Sequence, residues 1–146
     1  PQKRNTKVLF HPFSSHIPFD ASLNYFVGVF DIYDQEETKG VELSKYNPNN
    51  PKDRKKLILK YCLDPDEQLS YRHRYTLMKA LKHSLDSKNF NFNAFFEDNH
   101  DEYTSMAWNE DEIEDPREFF EEVYRLASDK WKDDLDKASQ EDPSTW

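Results

Sequence analysis

The chain has 146 residues and a net charge of −9, which fits one domain, residues 1–146, and argues against direct binding to the polyanionic nucleic acids. Two glycines are too few for a glycine-rich nucleotide loop, and a single cysteine excludes an internal disulfide. Its longest apolar runs span a few residues, far short of the about 20 that cross a bilayer, and the N-terminus does not resemble a signal peptide, so we expect a cytosolic protein without membrane contact.

The first 46 residues leave one alternative open. Two prolines interrupt residues 1–19 and predict an irregular N-terminal arm. Asp20 then stands where it can cap a helix, because apolar residues recur at helical spacing after it. These residues are Leu23, Phe26, Val27, Phe30 and Tyr33. The alternative is a short hairpin within residues 23–46, which would make the fold α+β. The helix is favoured because apolar and polar residues do not alternate strictly in this stretch.

Three similar signals farther along the chain predict helix starts. Each combines an Asn or Asp that can cap the helix, a proline at the first helical position, and a carboxylate two residues later. They occur at Asn50-Pro51, Asp64-Pro65 and Asp115-Pro116, and predict helices to about Leu63, Ser87 and Ala138. We therefore predict a mainly α fold, a single-domain helical bundle of about four to five helices.

Two segments lie outside these predicted helices. Residues 88–96 carry four phenylalanines and are compatible with either an extended link or a short helix. Residues 140–146 contain Pro143 and end in Trp146, and we expect them to form a frayed C-terminal tail.

The most unusual stretch is the acidic segment, residues 97–115. It contains nine carboxylates and no lysine or arginine. Four large apolar residues, Tyr103, Met106, Trp108 and Ile113, interrupt it, whereas a disordered acidic tail would lack such anchors. We therefore expect the acidic segment to fold against the rest of the protein.

Charge is separated along the sequence. Residues 52–83 have a balance of +5, residues 97–115 of −9, and residues 116–142 of −4. Two interpretations follow from this pattern. The oppositely charged regions neutralise each other across the fold, or an acidic face stays open and attracts a basic partner.

No set of residues at motif spacing predicts catalysis. Cys62 lies on an apolar helical stripe and is expected to be buried, and His73 stands between two arginines where we expect it to be solvated. The carboxylates do not follow the spacing of a calcium loop. We predict no enzymatic activity, no cofactor and no metal. The alternative in the enzyme class is a metal-dependent hydrolase that uses Asp98, His100 and Asp101.

Residues 105–124, SMAWNEDEIEDPREFFEEVY, resemble the C-terminal part of small acidic immunity proteins that guard bacteria against contact-delivered polymorphic toxins. Trp108, the run from Glu112 to Pro116 and the Phe119-Phe120 pair carry the resemblance. It implies a non-enzymatic cytosolic inhibitor that binds one toxin domain, often a nuclease with a basic substrate cleft. Immunity families diverge in fold, so the resemblance implies no particular fold.

The predicted partner is therefore a basic protein, and the predicted contact face lies in the acidic segment. Carboxylates would steer the partner, and an aromatic anchor would supply affinity, because exposed charge pairs each contribute only about 0–1 kcal/mol. The sequence leaves open whether Trp108 is such an anchor or part of the core. The predicted partner-binding residues are Asp101, Glu102, Tyr103, Trp108, Glu110, Asp111, Glu112 and Glu114. The alternative is a regulatory adaptor that mimics DNA or RNA toward a host nucleic-acid-binding protein, and it would use the same face.

Overall fold

Helical segments follow one another along the chain. The computed structural model describes residues 9–14, 16–98, 103–109 and 111–146. Six α-helices are described: α1 (Asn24–Val27), α2 (Val41–Leu43), α3 (Pro51–Leu57), α4 (Tyr71–Asp86), α5 (Pro116–Lys130) and α6 (Lys132–Ser139). Within the described ranges, extended pairing is limited to two isolated bridges, Phe10 with Pro18 and Asp31 with Met106. The predicted mainly α class is confirmed.

The hairpin alternative for residues 23–46 is wrong. This region forms α1, a 3-10 turn (Gly28–Phe30), a π-helical turn (Glu36–Gly40) and α2. The helical spacing predicted from Leu23 onward holds only as far as Phe30. Asp31 then adopts an extended conformation, with φ −73° and ψ 117°, and pairs with Met106. Tyr33 consequently leaves the helical stripe and is 37% exposed.

Two of the three predicted helix starts are confirmed. The Asn50 side chain accepts hydrogen bonds from the backbone N–H groups of Lys52 and Asp53, and α3 continues as a π-helical turn (Ile58–Cys62). The Asp115 side chain accepts from the Glu118 N–H at the start of α5. These bonds satisfy amide donors that have no partner within the helix. The last predicted helix is interrupted at Trp131, where α5 ends and α6 follows.

The third predicted start, at Asp64, is wrong. Asp64 and Glu67 both have positive φ angles, 51° and 53°, so the chain turns there instead of entering a helix. The Asp64 carboxylate accepts from the N–H groups of Gln68 and Leu69 within this turn. Helix α4 begins later, after Ser70, whose side chain accepts from the His73 N–H.

His73 is also placed differently from the prediction. It is 9% exposed, and its ring bonds Ser70 on one side and the Phe10 carbonyl, 2.6 Å away, on the other. Phe19 packs edge-on against the same ring, with centroids 4.7 Å apart. His73 is therefore a structural residue that fixes the described part of the N-terminal arm to α4. The two flanking arginines suggested a solvated position for His73. They pair with Glu141 and Asp64 on either side, whereas the ring between them is buried.

The C-terminal tail is docked, not frayed. Pro143–Thr145 forms a 3-10 turn, and Trp146 is 6% exposed and packs against Tyr75. The Glu141 carboxylate accepts hydrogen bonds from the Tyr71 hydroxyl and from Arg72, at 2.6 and 2.9 Å. The sequence did not reveal these contacts because their two partners lie about 70 residues apart.

Aromatic rings form the core between α5 and the segments that precede it. Residues 92–96 form a 3-10 helix (Phe92–Phe96), so the short-helix alternative for this segment is correct. Its Phe96 contacts both Phe119 and Phe120 of α5, with ring centroids 5.6 and 6.0 Å apart. Helix α4 packs against α5 and α6. No helix in the described ranges is long and apolar enough to cross a membrane.

Candidate functional site

The acidic segment is attached to the core through a short antiparallel pairing. The Ile32 N–H donates to the Ser105 carbonyl and the Ala107 N–H donates to the Phe30 carbonyl, each at 2.7 Å. The Asp31 carboxylate adds a third contact, because it accepts from the Ser105 N–H at 3.0 Å. Residues from the beginning of the chain thereby fix the middle of the acidic segment.

A second attachment comes from Asn49, in the turn before α3. Its side-chain amide donates to the Glu112 carbonyl at 2.8 Å, and its carbonyl oxygen accepts from the Glu114 N–H at 2.9 Å. This pair of bonds repeats the pattern that a neighbouring strand would supply. The described part of the acidic segment is thus folded against the protein, as predicted.

The carboxylates of the acidic segment face solvent. Six of its nine carboxylates belong to the described residues: Glu97, Asp98, Asp111, Glu112, Glu114 and Asp115. All six are exposed, and none forms an ion pair with a described lysine, arginine or histidine. Three of them accept backbone N–H groups instead, from Met106, Asn109 and Glu118. Backbone hydrogen bonds therefore fix three of the six carboxylates, and none of the six has an ion-pair partner among the described residues.

Five of the nine basic side chains of residues 52–83 form ion pairs with described carboxylates, all outside the acidic segment. Arg54 lies 3.4 Å from Glu118 on α5, and Arg74 bonds both Asp64 and Asp134, at 2.9 and 3.0 Å. Lys60, Arg72 and Lys82 pair with Glu42, Glu141 and Asp86. Within the described part of the chain, the basic region and the acidic segment do not neutralise each other. An open acidic face is the interpretation that these ion pairs favour.

Trp108 belongs to the core. It is 8% exposed, and its ring meets Phe30 edge-on with centroids 5.3 Å apart. Met106 and Ile113 are buried in the same cluster. The core alternative left open for Trp108 is thus the one observed, and this side chain is not available as a surface anchor. The burial of these three apolar side chains stabilises the attachment of the acidic segment to the core.

Tyr103 is the exposed aromatic residue of the acidic segment. It is 66% exposed and contacts Tyr33, itself 37% exposed, with ring centroids 5.5 Å apart. We refer to these two residues as the tyrosine pair. The sequence predicted Tyr103 as a contact residue but not Tyr33, which was assigned to a buried helical stripe. No local signal identifies Tyr33, because the pairing of residues 30–32 with residues 105–107 brings it there.

A cleft of about 330 Å³ is lined in part by the acidic segment. Its lining residues come from α1, the 3-10 turn that follows it, Asp31, the 3-10 helix Phe92–Phe96 and the acidic segment: Asn24, Gly28, Asp31, Ala94, Phe95, Glu97, Asp98, Thr104 and Met106. Three of these carry carboxylates and none carries a basic group. We refer to this feature as the acidic cleft. Asp31 is the member that sequence analysis missed, since it lies 66 residues before Glu97.

Six further residues were predicted to contact the partner, and the structure describes three of them. Asp111, Glu112 and Glu114 are exposed. Asp101, Glu102 and Glu110 lie outside the described residues, as do His100 and Asp101 of the alternative metal site. Among the described side chains, no group of three or more His, Cys, Asp or Glu lies close enough to hold a metal ion.

Cys62 lies in the π-helical turn after α3 and is 1% exposed, as the apolar stripe predicted. Complete burial raises the pKa of its thiol far above the ordinary value. The thiolate is the reactive form of cysteine, so this side chain is a poor nucleophile. Its role is to fill the core.

Comparison with known proteins adds no relative. No protein-family model, no curated protein and no solved structure matches this chain.

Proposed function

We propose that this protein is a non-enzymatic inhibitor of the immunity type, which acts in the cytosol by binding a basic domain of a toxin through its acidic face. The observation that supports the proposal best is the set of exposed carboxylates on an attached segment, which form no ion pair within the part of the chain that the structure describes. The resemblance of residues 105–124 to small acidic immunity proteins points to the same class of partner.

The arrangement suits recognition of a phosphate-binding protein. A nuclease cleft attracts polyphosphate with lysines and arginines, and carboxylates fixed on a folded surface can occupy the same positions. Long-range attraction raises the rate of encounter, and this effect falls as salt screens the charges. Because backbone hydrogen bonds already hold Asp98, Glu112 and Asp115, little conformational entropy is lost when they meet a partner.

The aromatic contribution falls to the tyrosine pair, since Trp108 is buried. Exposed aromatic side chains combine apolar area with a polar group and lose few rotamers on binding, which is why tyrosine is common among dominant interface residues. Tyr103 contacts Tyr33, and each of them lies within two residues along the chain of a residue that lines the acidic cleft.

The decisive experiment identifies the partner and then tests inhibition. The protein is immobilised, incubated with extract of its native source, and the retained proteins are identified by mass spectrometry. We expect a basic toxin domain, whose purified activity is abolished at a 1:1 ratio with this protein. A retained partner that is acidic, or a basic one whose activity is unchanged, would contradict the proposal.

Charge reversal then tests the acidic face. Glu97→Lys, Asp111→Lys and Glu114→Lys together take the net charge from −9 to −3. The triple variant should associate at least about tenfold more slowly at low salt, with a much smaller difference at high salt, while the dissociation rate changes less. Stopped-flow measurement at several salt concentrations gives both rates.

A matched control separates the local surface from total charge. Glu121, Asp129 and Asp136 are exposed on α5 and α6, and their reversal gives the same net charge of −3. This control should associate at nearly the parent rate. If both triple variants slow association equally, the effect belongs to the total charge and the acidic segment is not the contact face.

A further inference from the structure

We propose that an apolar groove beside the N-terminal arm binds one large apolar side chain of the partner, at a point where lysines or arginines flank that side chain. The inference rests on the proposed function, because it takes the basic partner as the occupant and adds a second contact to the acidic face. Three kinds of observation support it: the apolar lining of the groove, an exposed phenylalanine of the arm and the carboxylates at the edge.

The lining of the groove is largely apolar. Four half-buried side chains that pack against the core contribute to it: Tyr25, Val29, Tyr61 and Leu69. We refer to this recess as the arm groove. Its volume of about 200 Å³ is below the about 300–1,000 Å³ of small-molecule sites and above the about 150 Å³ of a cavity that holds benzene. The size therefore suits one large apolar side chain.

Phe13 of the arm also lines the arm groove, and it is 66% exposed. The arm keeps its shape through contacts that do not involve this ring. The His11 N–H donates to the Ile17 carbonyl at 2.7 Å, and the His73 ring bonds the Phe10 carbonyl. An apolar ring that stays exposed on a loop fixed in this way is typical of a contact surface.

Carboxylates lie at the edge of the arm groove. Asp66 is one of its lining residues, Glu67 follows in the same turn, and both are exposed. Asp20 lies near Tyr25, where burial and the Asp20 charge raise the pKa of the tyrosine hydroxyl above its ordinary value. None of the three carboxylates forms an ion pair within the described ranges.

Two cations next to lining residues already have acidic partners. Arg74 bonds Asp64, itself a lining residue, at 2.9 Å. The Lys60 ammonium lies 5.2 Å from the centre of the Tyr61 ring and bonds Glu42 at 3.1 Å. The edge of the arm groove is therefore negative in the part of the chain that the structure describes.

This charge discriminates among the occupants of an apolar groove. A second copy of the chain would bring carboxylates against carboxylates, and an anionic membrane surface would be repelled in the same way. An apolar side chain between lysines or arginines meets both the apolar lining and the negative edge. Charge complementarity therefore favours a basic protein segment as the occupant.

The arm groove and the acidic cleft lie on neighbouring sides of one helical segment. Asn24 and Gly28 line the cleft, whereas Tyr25 and Val29, each one residue later, line the groove. Consecutive residues of a helix lie about 100° apart around its axis. One basic partner domain is therefore able to contact both recesses.

Peptide titration tests the occupant without the natural partner. The peptide acetyl-KRFRK-amide is added to ¹⁵N-labelled protein, with acetyl-KRSRK-amide lacking the apolar side chain and acetyl-QNFNQ-amide lacking the charge. Saturable shifts of the Tyr25, Val29 and Leu69 amides are expected with KRFRK. Binding of KRSRK should be at least about tenfold weaker, and that of QNFNQ about fivefold weaker. Absence of these shifts, or equal binding of either comparison peptide, overturns the proposal.

Two substitutions, each with a matched control, locate the contact. Phe13→Ser removes the exposed ring and should weaken KRFRK binding about tenfold, whereas Ile17→Ser, at a 55% exposed position of the same arm outside the groove, should bind like the parent. Asp66→Asn should weaken binding about threefold at low salt, and Asp136→Asn on α6 should not. All four positions are exposed, so we expect intact folds, which circular dichroism checks. Equal affinities of a variant and its control contradict the proposal.

Sedimentation tests the other two occupants. We expect Phe13→Ser to sediment like the parent, both alone and with vesicles of phosphatidylcholine that contain phosphatidylserine. A dimer that this substitution dissociates would show that a second copy covers the arm groove. Vesicle binding that it abolishes would show that lipid does, and either result overturns the proposal.

The peptide titration also separates this inference from the proposed function. If KRFRK does not bind but a basic toxin domain is captured and inhibited, the arm groove is not a contact and the inhibitor function stands. If KRFRK binds but no basic toxin domain is inhibited, the function is wrong and the groove still binds a basic segment. In the full complex, Phe13→Ser should accelerate dissociation about tenfold, and an unchanged dissociation rate would place the contact elsewhere.

Discussion

At the scale of single residues, the carboxylates of this protein have two different roles. Asp31, Asp98 and Asp115 accept backbone N–H groups and so determine where loops and helices begin. The same groups keep their negative charge, because a backbone amide is a dipole and not a cation. A carboxylate can therefore stabilise the fold and remain available to attract a partner.

We expect Trp108 to be important for the stability of the fold and to make no direct contact with a partner. Trp108→Ala removes a buried ring that packs on Phe30, and should lower the free energy of unfolding by about 3–5 kcal/mol. Urea denaturation followed by circular dichroism measures the change. Tyr103→Ala, by contrast, truncates a 66% exposed side chain and should change stability by no more than about 0.5 kcal/mol. If Trp108→Ala folds with the stability of the parent, the ring is not part of the core.

At the scale of elements, the same start signal has two outcomes. Asn50 and Asp115 cap helices because the residues after each proline continue with helical backbone angles. At Asp64 the carboxylate accepts from residues four and five positions later and also pairs with Arg74, so it stabilises a turn. A cap motif supplies a side-chain acceptor for nearby backbone N–H groups, and tertiary contacts decide which of these groups donate to it.

The docked tail gives a prediction at this scale that depends on pH. Hydrogen bonds from the Tyr71 hydroxyl and from Arg72 lower the pKa of Glu141 below its ordinary value. A carboxylate with a lowered pKa in the folded state stabilises that state above its ordinary pKa and loses this contribution as the pH falls through the lowered pKa. Glu141→Gln should therefore be less stable than the parent at neutral pH, and the difference should vanish in acid.

Urea denaturation of both proteins between neutral and strongly acidic pH checks this. Asp86→Asn supplies a control. It removes an ion pair with Lys82 that is exposed to solvent on α4, and should lower the free energy of unfolding by less than Glu141→Gln does. A difference between parent and Glu141→Gln that is independent of pH would show that the ionised carboxylate does not hold the tail.

At the scale of the whole molecule, uncompensated charge is expected to oppose folding. The protein carries a net charge of −9, and the described carboxylates of the acidic segment have no cationic partners. Mutual repulsion destabilises the folded chain, and salt screens it. Proteins commonly keep residues that lower stability when those residues are needed for function, and we expect the acidic segment to be such a case.

The reversal of Glu97, Asp111 and Glu114 to lysine should accordingly leave the fold intact. We expect the free energy of unfolding of the triple variant to exceed that of the parent by about 0.5 kcal/mol at low salt, and the two values to converge as salt rises. Thermal and urea denaturation at several salt concentrations measure this. A clear loss of stability would mean that these carboxylates support the structure, and slower partner binding by the variant would then need another explanation.

Sequence by itself determined the helical class, the caps at Asn50 and Asp115, the burial of Cys62 and the attachment of the acidic segment through its apolar residues. Each of these depends on neighbours within a few turns, where spacing and side-chain chemistry suffice. Only the tertiary structure decided that His73 and Trp108 are buried, that the tail is docked, that Asp31 bonds Ser105 and that Tyr33 contacts Tyr103. These outcomes depend on residues about 60 to 80 positions apart, which come together only when the aromatic core closes, so no local pattern contains them.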